Sequence, residues 1–296
     1  MTTISIIGSG FVGSATGKFL ASEGNKVIFC DVREEVVENL KIEGFQATTD
    51  IENAVLNSDL SFITVATPST ENGIDLKYFI PAAEQCGKAL AKKKGFHAFV
   101  VKSTTIPTTT EKHFITTLEK FSGKKADRDF GVVYNPEFLT EIAHSWTSDP
   151  SYARNHRNED KLVIGEGKDK RAGDMLLSLY KNLNSPVFRT DYRTAELIKY
   201  ANNCRLAAAV SFSNEIFLLC QKLGIDSQVV MDAVAADKRI GRYGSVHGKS
   251  FGGKCFPKDL RAIINFAEKE LGIEPNLLKS VEKVNLHMKE KYGVRE

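Results

Sequence analysis

ISIIGSGFVGSATGKFL, residues Ile4–Leu20, is the stretch on which the fold turns. An apolar, β-branched run ends at Gly8, an amphipathic stretch follows, and Gly8, Gly10 and Gly13 stand in GxGxxG spacing between them. The next apolar run, KVIFCD, closes on Asp31, about eighteen residues beyond Gly13. Strand, glycine turn, helix, strand and acid in that order form a dinucleotide-binding fingerprint. Gly8 permits the tight turn, Gly10 lets the backbone approach a pyrophosphate, and Gly13 allows close packing of helix on strand. The helix N-terminus offers its N–H groups to the phosphates. A carboxylate at Asp31 accepts hydrogen bonds from ribose hydroxyls and repels a 2′-phosphate, which favours NAD over NADP. Arg33 works the other way, because an arginine there can accommodate a 2′-phosphate or simply lie over the adenine. Without a ligand the same residues are a glycine-rich turn.

Outward from this motif, the first two-thirds of the chain alternate short apolar runs with amphipathic stretches. TISIIG, KVIFCD, DLSFITVA, HAFVVKS and FGVVYNP read as strands; FVGSATGKFLASEG, REEVVENLKIEG and LKYFIPAAEQCGKALAKKKG read as helices stopped by glycine. The alternation predicts a Rossmann-like, doubly wound parallel sheet. After KLVIGEG the pattern becomes helical, with one long helix from about Tyr192 to Leu223 and no clear strand beyond it. A domain of residues 1–191 and an all-helical domain of residues 192–296 are expected. SWTSDPSYARNHRNED, polar and aperiodic, reads as an exposed loop and the strongest candidate for mobility.

The totals exclude several classes. Of 296 residues 42% are hydrophobic, enough for a sizeable core, and a formal charge of +3 carries no nucleic-acid or membrane signal. The start, MTTISIIGSG, has no basic leader before its strand, and CRLAAAVSFSNEIFLLC is too polar to span a bilayer. Five cysteines lie far apart without a CxxC pair, so neither a disulfide framework nor a zinc site is indicated, and a cytoplasmic setting fits.

One cysteine stands apart, in FGGKCFPKDL, Phe251–Leu260. Pro257 suits the first turn of a helix, which places Cys255 just outside a helix N-terminus. The helix dipole and the neighbours Lys254 and Lys258 favour a thiolate, and Gly252 and Gly253 let the backbone bend closely around a substrate. Asp259, in the helix's first turn, can act as a base or position water, or simply complement the dipole. On the long helix, Glu196, Lys199 and Asn203 share one face, and Asn214 returns to nearly the same angle. Lys199 and Asn203 can both donate to one oxyanion; the bland alternative is a solvated polar face. In VVYNPEFLTEIA, Glu137 and Glu141 project together if the stretch is helical, and crowded carboxylates can make a base; otherwise they are surface acids. In VVKSTTIPTTT, Thr104 at a strand's carboxyl end can orient water or cap a helix. Thr67 and Pro68 in TVATPST end another strand, where they line the cofactor cleft or form an ordinary strand exit.

Together GSGFVG, ATPST, KSTTIPTTT, YNPEFLTE, ELIKYANN with SFSNE, DKRIG and FGGKCFPKDL resemble the UDP-glucose/GDP-mannose dehydrogenase family, in the family's order over essentially the whole chain. The resemblance implies a four-electron oxidation of a sugar C6 alcohol to a carboxylate with two NAD, UDP-glucose going to UDP-glucuronate. In that pattern Cys255 captures the aldehyde as a thiohemiacetal that is oxidised to a thioester. Lys199 and Asn203 stabilise oxyanions, and Thr104, Glu141 and Asp259 handle water and protons. Phe11, Val12 and Thr104 join the glycines, Asp31, Arg33, Thr67 and Pro68 at the cofactor. Glu137, Phe138, Leu139, Lys199, Asn203 and Gly252 face the substrate, a nucleotide sugar. Arg239 in DKRIG looks like the arginine that reaches a partner subunit's substrate, so a homodimer built on the helical domain is implied. Family members typically continue into a further α/β domain that grips the nucleotide, beyond the point where this sequence stops. A separate partner supplying that domain is one expectation. KSTTIPTTT also lacks the glycine common after its proline.

Two rival readings remain open. A two-electron β-hydroxyacid dehydrogenase joins the same kinds of domain but needs no cysteine. A non-catalytic NAD-binding assembly subunit needs none of the catalytic residues.

Overall fold

A computed structural model describes residues 1–70, 73–140, 146–180, 182, 184–253 and 255–295. The chain divides into two compact units. One comprises residues 1–68, 74–138 and 156–197; the other comprises 69–73, 139–155 and 198–296.

The first unit is built on β1 (Thr3–Ile7), β2 (Lys26–Cys30), β3 (Gln46–Thr48), β4 (Leu60–Ile63), β7 (Ala98–Val101), β8 (Gly131–Tyr134), β9 (Leu162–Glu166) and β10 (Val187–Thr190). The intervening β5 (Ser69–Thr70) and β6 (Gly73–Ile74) are two-residue pieces outside this sheet. The eight strands run in the order β10-β9-β8-β7-β4-β1-β2-β3. Residues of β1 pair in parallel with both neighbours, Ile7 lying opposite Cys30 on β2 and Ile63 on β4. Strands β4, β7 and β8 are buried throughout, as expected of a sheet covered on both faces.

The helices are α1 (Phe11–Ser22), α2 (Glu34–Ile42), α3 (Ile51–Leu56), α4 (Phe79–Lys92), α5 (Thr116–Ser122) and α6 (Arg171–Leu179). A π-helical stretch, Thr110–Ile115, leads directly into α5. One core cluster joins Ile4, Phe29, Phe62, Val100, Val133 and Ile164 of the sheet with Leu20, Leu40 and Leu176 from α1, α2 and α6. A second group of fully buried rings, Phe79, Phe99, Phe114 and Phe130, packs with centroids 5.4–6.3 Å apart.

The sheet is not wholly parallel. Strand β9 runs antiparallel to β8, with Tyr134 opposite Gly165, and β10 follows β9 in parallel. A run such as KLVIGEG marks a strand but carries no direction, so the reversal is invisible in the pattern. The edge strand β10 also escapes the pattern, because three of its four residues are exposed.

In the second unit lie most of α7 (Tyr192–Leu223), α8 (Ser227–Ala235), α9 (Phe256–Glu270) and α10 (Asn276–Tyr292). At ~1.5 Å per residue α7 is roughly 48 Å long. Contrary to the expectation of no strand here, β11 (Ser250–Phe251) and β12 (Val294–Arg295) pair in parallel. Two-residue strands are too short for periodicity to reveal. Among the described residues no helix is long and apolar enough to cross a membrane.

The polar segment after Glu141 is an exposed loop only in part. Trp146, Thr147, His156 and Glu159 within it are buried. His156 bridges Thr16 of α1 (Nε2 to Oγ1, 3.1 Å) and Glu159 (Nδ1 to Oε1, 2.6 Å), and its ring stacks on Phe19. A buried polar pair looks, in sequence, like solvated polarity.

Candidate functional site

The glycine turn has the geometry its spacing demands. Gly8 takes φ +96, and a Cβ there would lie 2.8 Å from the Val65 nitrogen. A Cβ on Gly13 would lie 2.0 Å from the Gly8 carbonyl oxygen, so helix and turn touch backbone to backbone. A Cβ on Gly10 would meet nothing within 4 Å, which leaves open the space a pyrophosphate needs. Gly10 is also the N-cap of α1 and offers no side-chain acceptor to its first N–H groups. Phe11, the first helical residue, is exposed, and Val12 is half-buried. Thr64, which the motif does not include, locks the turn by donating to the carbonyls of Gly8 (2.6 Å) and Ile7 (3.1 Å). These residues fit a dinucleotide.

Asp31 is buried at the end of β2. It accepts from the Ser9 N–H (2.8 Å) and the Arg33 N–H (3.0 Å), and the Arg33 guanidinium adds two bonds, at 2.9 and 3.1 Å. Burial alone would raise the Asp31 carboxyl, but the bonds from Arg33 and Ser9 outweigh it and hold the group below its ordinary value. Arg33 therefore engages the carboxylate from its exposed side. Thr67 is buried and donates to the Thr104 carbonyl at 2.6 Å, joining the exits of β4 and β7; Pro68 beside it is half-buried.

The shared face of α7 is not a solvated stripe. Glu196, Lys199 and Asn203 are all buried. Glu196, in the first unit, accepts from Thr105, Thr108 and Thr110. Burial pushes its carboxyl up to about 7 against those hydrogen bonds. Asn214 is also buried, but holds Gly248 and Lys249 by their backbones (2.8 and 2.9 Å) rather than joining Asn203.

In the second unit Cys255 occupies the N-cap of α9, with Pro257 in the first turn. Its thiol is exposed, whereas Cys30, Cys86, Cys204 and Cys220 are buried. Burial pushes the thiols of Cys30 and Cys204 up to about 12, with Asp31 and Asp259 respectively adding to the effect. Asp259, one turn beyond Cys255, is only 1% exposed. Asn203 Nδ2 donates to its Oδ2 at 2.6 Å, and Lys258 Nζ to its Oδ1 at 2.5 Å. Asn285 braces the approach to Cys255 by bonding both the N–H (2.7 Å) and the carbonyl (3.0 Å) of Phe251. Its partner is 34 residues away, so nothing local in the sequence announces it. Gly253 is left-handed (φ +72), while Gly252 is required by packing, since a Cβ there would lie 2.3 Å from Val294 Cγ1.

Residues 135–140 are not helical: Pro136 lacks an N–H, and the Thr140 N–H is spent on the Arg154 carbonyl (2.9 Å). Glu137 is buried, Phe138 packs under the Lys161 ammonium at 3.9 Å, and Leu139 is half-buried. Glu141 and Lys254 lie outside the described residues. Arg239 is 89% exposed and paired with Asp237.

Residues 2–46 and 33–184 match the NAD binding domain of the UDP-glucose/GDP-mannose dehydrogenase family, and residues 193–287 match its central domain. The chain belongs to this family. NAD is accordingly its cofactor. It is 37% identical to a GDP-mannose 6-dehydrogenase of Pseudomonas aeruginosa, over 97% of this chain and 69% of that protein. It is 35% identical to a UDP-glucose 6-dehydrogenase of Haloferax volcanii, over 95% of this chain and 69% of that one. Among solved structures, a UDP-glucose dehydrogenase of Pyrobaculum islandicum superposes with a TM-score of 0.89 at 36% identity, covering 98% of this chain and 69% of the other.

Proposed function

We propose that this nucleotide-sugar dehydrogenase family member oxidises the C6 alcohol of UDP-glucose to the carboxylate of UDP-glucuronate in two steps, through a covalent bond to Cys255. The observation that carries the reading is the exposed thiol at the N-cap of α9, one turn from a buried Asp259 held by Asn203 and Lys258. The likeness to the Pyrobaculum UDP-glucose dehydrogenase supports UDP-glucose, and the likeness to the Pseudomonas GDP-mannose 6-dehydrogenase makes GDP-mannose the competing substrate.

Bound NAD supplies the hydride acceptor for each oxidation. In the first oxidation the C6 alcohol gives up a hydride from carbon to the bound acceptor and its hydroxyl proton to water, leaving the aldehyde. Cys255 Sγ then forms a bond to the aldehyde carbon, and the carbonyl oxygen becomes an alkoxide or hydroxyl. Lys199 and Asn203 are assigned to that oxygen, because both can donate hydrogen bonds and both are withdrawn from bulk water. The second oxidation converts the thiohemiacetal to a thioester. Water adds to the thioester carbon, the carbon–sulfur bond breaks, and the carboxylate leaves with the thiol restored. Asp259, Thr104 and Glu141 are assigned to that water and its protons; Glu137, Phe138, Leu139 and Gly252 are assigned to the substrate. The covalent bond keeps the aldehyde from escaping between oxidations.

The test is stoichiometry. UDP-glucose, GDP-mannose and a 2-N-acetylated UDP-sugar are each exhausted with excess NAD, and NADH is counted. Two NADH per UDP-glucose supports the reading. One NADH means a two-electron dehydrogenase, and none from any sugar means an NAD-binding subunit. Faster turnover of GDP-mannose moves the substrate assignment to that sugar.

A further inference from the structure

The segment that carries Thr104 is held at the Thr104 carbonyl by Thr67 and, over the six residues that follow, by one carboxylate. Residues 102–110 leave β7 and enter the helix that starts at Thr110. Within nine residues, three threonines turn towards Glu196 on α7. Thr105 Oγ1 donates to Oε1 at 3.1 Å, and the Thr108 N–H to Oε2 at 2.7 Å. Thr110 adds its N–H (2.9 Å) and its hydroxyl (2.7 Å) to Oε1. Glu196 is 0% exposed, so no water competes for these bonds.

Thr108 has φ +82, a left-handed backbone that a β-branched residue rarely adopts. It lies just after Pro107, and glycine would take that conformation without Cβ conflict. Here a threonine is held there, and the bond from its N–H to Glu196 is what the surroundings offer in compensation. The donor set also explains why the acceptor is a carboxylate. Two oxygens must receive four donors, whereas a glutamine would offer one oxygen and turn its own N–H groups on the threonines.

We propose that Glu196 is a positioning residue for the oxidation: it holds the strained turn at Thr108 and thereby fixes the backbone that presents Thr104. This rests on the assignment of Thr104 to the reaction. The role acts through Thr108, so relieving the turn should make Glu196 dispensable. A residue that merely fills space would not be rescued in this way.

The experiment uses Glu196→Gln, Thr108→Gly and their combination, each checked for folded fraction by circular dichroism. Amide exchange of residues 104–110 is followed by mass spectrometry, and kcat and KM are measured with UDP-glucose and NAD. Glu196→Gln should speed exchange of this segment about tenfold or more. It should also lower kcat about tenfold, with both KM values within about twofold. The double variant should recover most of both losses. Unchanged exchange in Glu196→Gln, or a double variant no better than the single one, overturns the proposal. Faster exchange with unchanged kcat overturns the positioning role. Should Glu196→Gln fail to fold, Thr110→Val removes one donor and should speed exchange of the same segment less; no change there is equally contrary. If the unaltered protein oxidises no nucleotide sugar, the functional reading fails while exchange still decides whether the clamp exists.

Discussion

The Asn203 side chain donates a 2.6 Å hydrogen bond to the Asp259 carboxylate, linking α7 to the first turn of α9, whose N-cap is Cys255. Both groups are buried, so the bond is shielded from bulk water, and Lys258 donates to the other carboxylate oxygen. Replacing Asn203 with alanine leaves a buried carboxylate short of one donor, at a cost of about 1–3 kcal/mol in stability. It also removes the donor proposed for the oxyanion, so kcat should fall about 10²-fold. NAD affinity, measured by calorimetric titration, should stay within about twofold, because the glycine turn and Asp31 belong to the other unit. Comparable losses in NAD affinity and kcat would mean that Asn203 acts on the fold as a whole.

Asp31 is the residue proposed to decide cofactor choice. Arg33 occupies both of its carboxylate oxygens, yet a 2′-phosphate would still approach a buried anion. Calorimetric titration should find NAD bound more tightly than NADP, and Arg33→Ala should widen the difference. Equal or tighter NADP binding would show that Arg33 prevails over Asp31.

Glu196 makes stability depend on pH in a direction opposite to that of a salt-bridged acid. Its folded carboxyl is raised from 4.5 to about 7 by burial. Between those values the native state retains a proton that the unfolded chain has lost, so stability falls as pH rises through the window and levels off above it. The full effect is roughly 3 kcal/mol. Denaturant titrations from pH 4.5 to 7.5 should show this slope in the parent protein and a flatter one in Glu196→Gln. Equal slopes would mean the four threonine bonds keep Glu196 ionised throughout.

The exposed apolar residues Phe212, Leu219 and Leu223 fall on one side of α7, and Val229 of α8 is exposed too. A second copy of the chain is the proposed cover. Light scattering at micromolar concentration should give a dimer, and Leu219→Lys with Leu223→Lys should give a monomer. A monomeric parent protein would refute this.

Local pattern went far where structure is local. The glycine spacing, the buried strands β1, β2, β4, β7 and β8, and the common face of Glu196, Lys199 and Asn203 all follow from periodicities within a few residues. What pattern could not supply depends on partners far along the chain. Nothing near Glu196 says that its donors lie 86 to 91 residues earlier. Nothing near Asn285 says that it braces Phe251. The burial of His156 and Glu159 was hidden because polar composition is the same whether a pair faces water or each other. The left-handed Thr108 is a local conformation, but a threonine gives no warning of it.

The covalent step at Cys255 is tested most directly by intact-protein mass spectrometry of Cys255→Ser incubated with UDP-glucose and NAD. A serine alkoxide is far harder to form near neutral pH than a thiolate, and an oxygen ester hydrolyses more slowly than a thioester. NAD binding should persist, turnover should fall by orders of magnitude, and a fraction of the protein should gain the mass of one uronyl ester. Cys255→Ala should gain none. Full turnover by Cys255→Ala, with two NADH still formed per sugar, would contradict the account, since the four-electron oxidation would then need no bond to this residue.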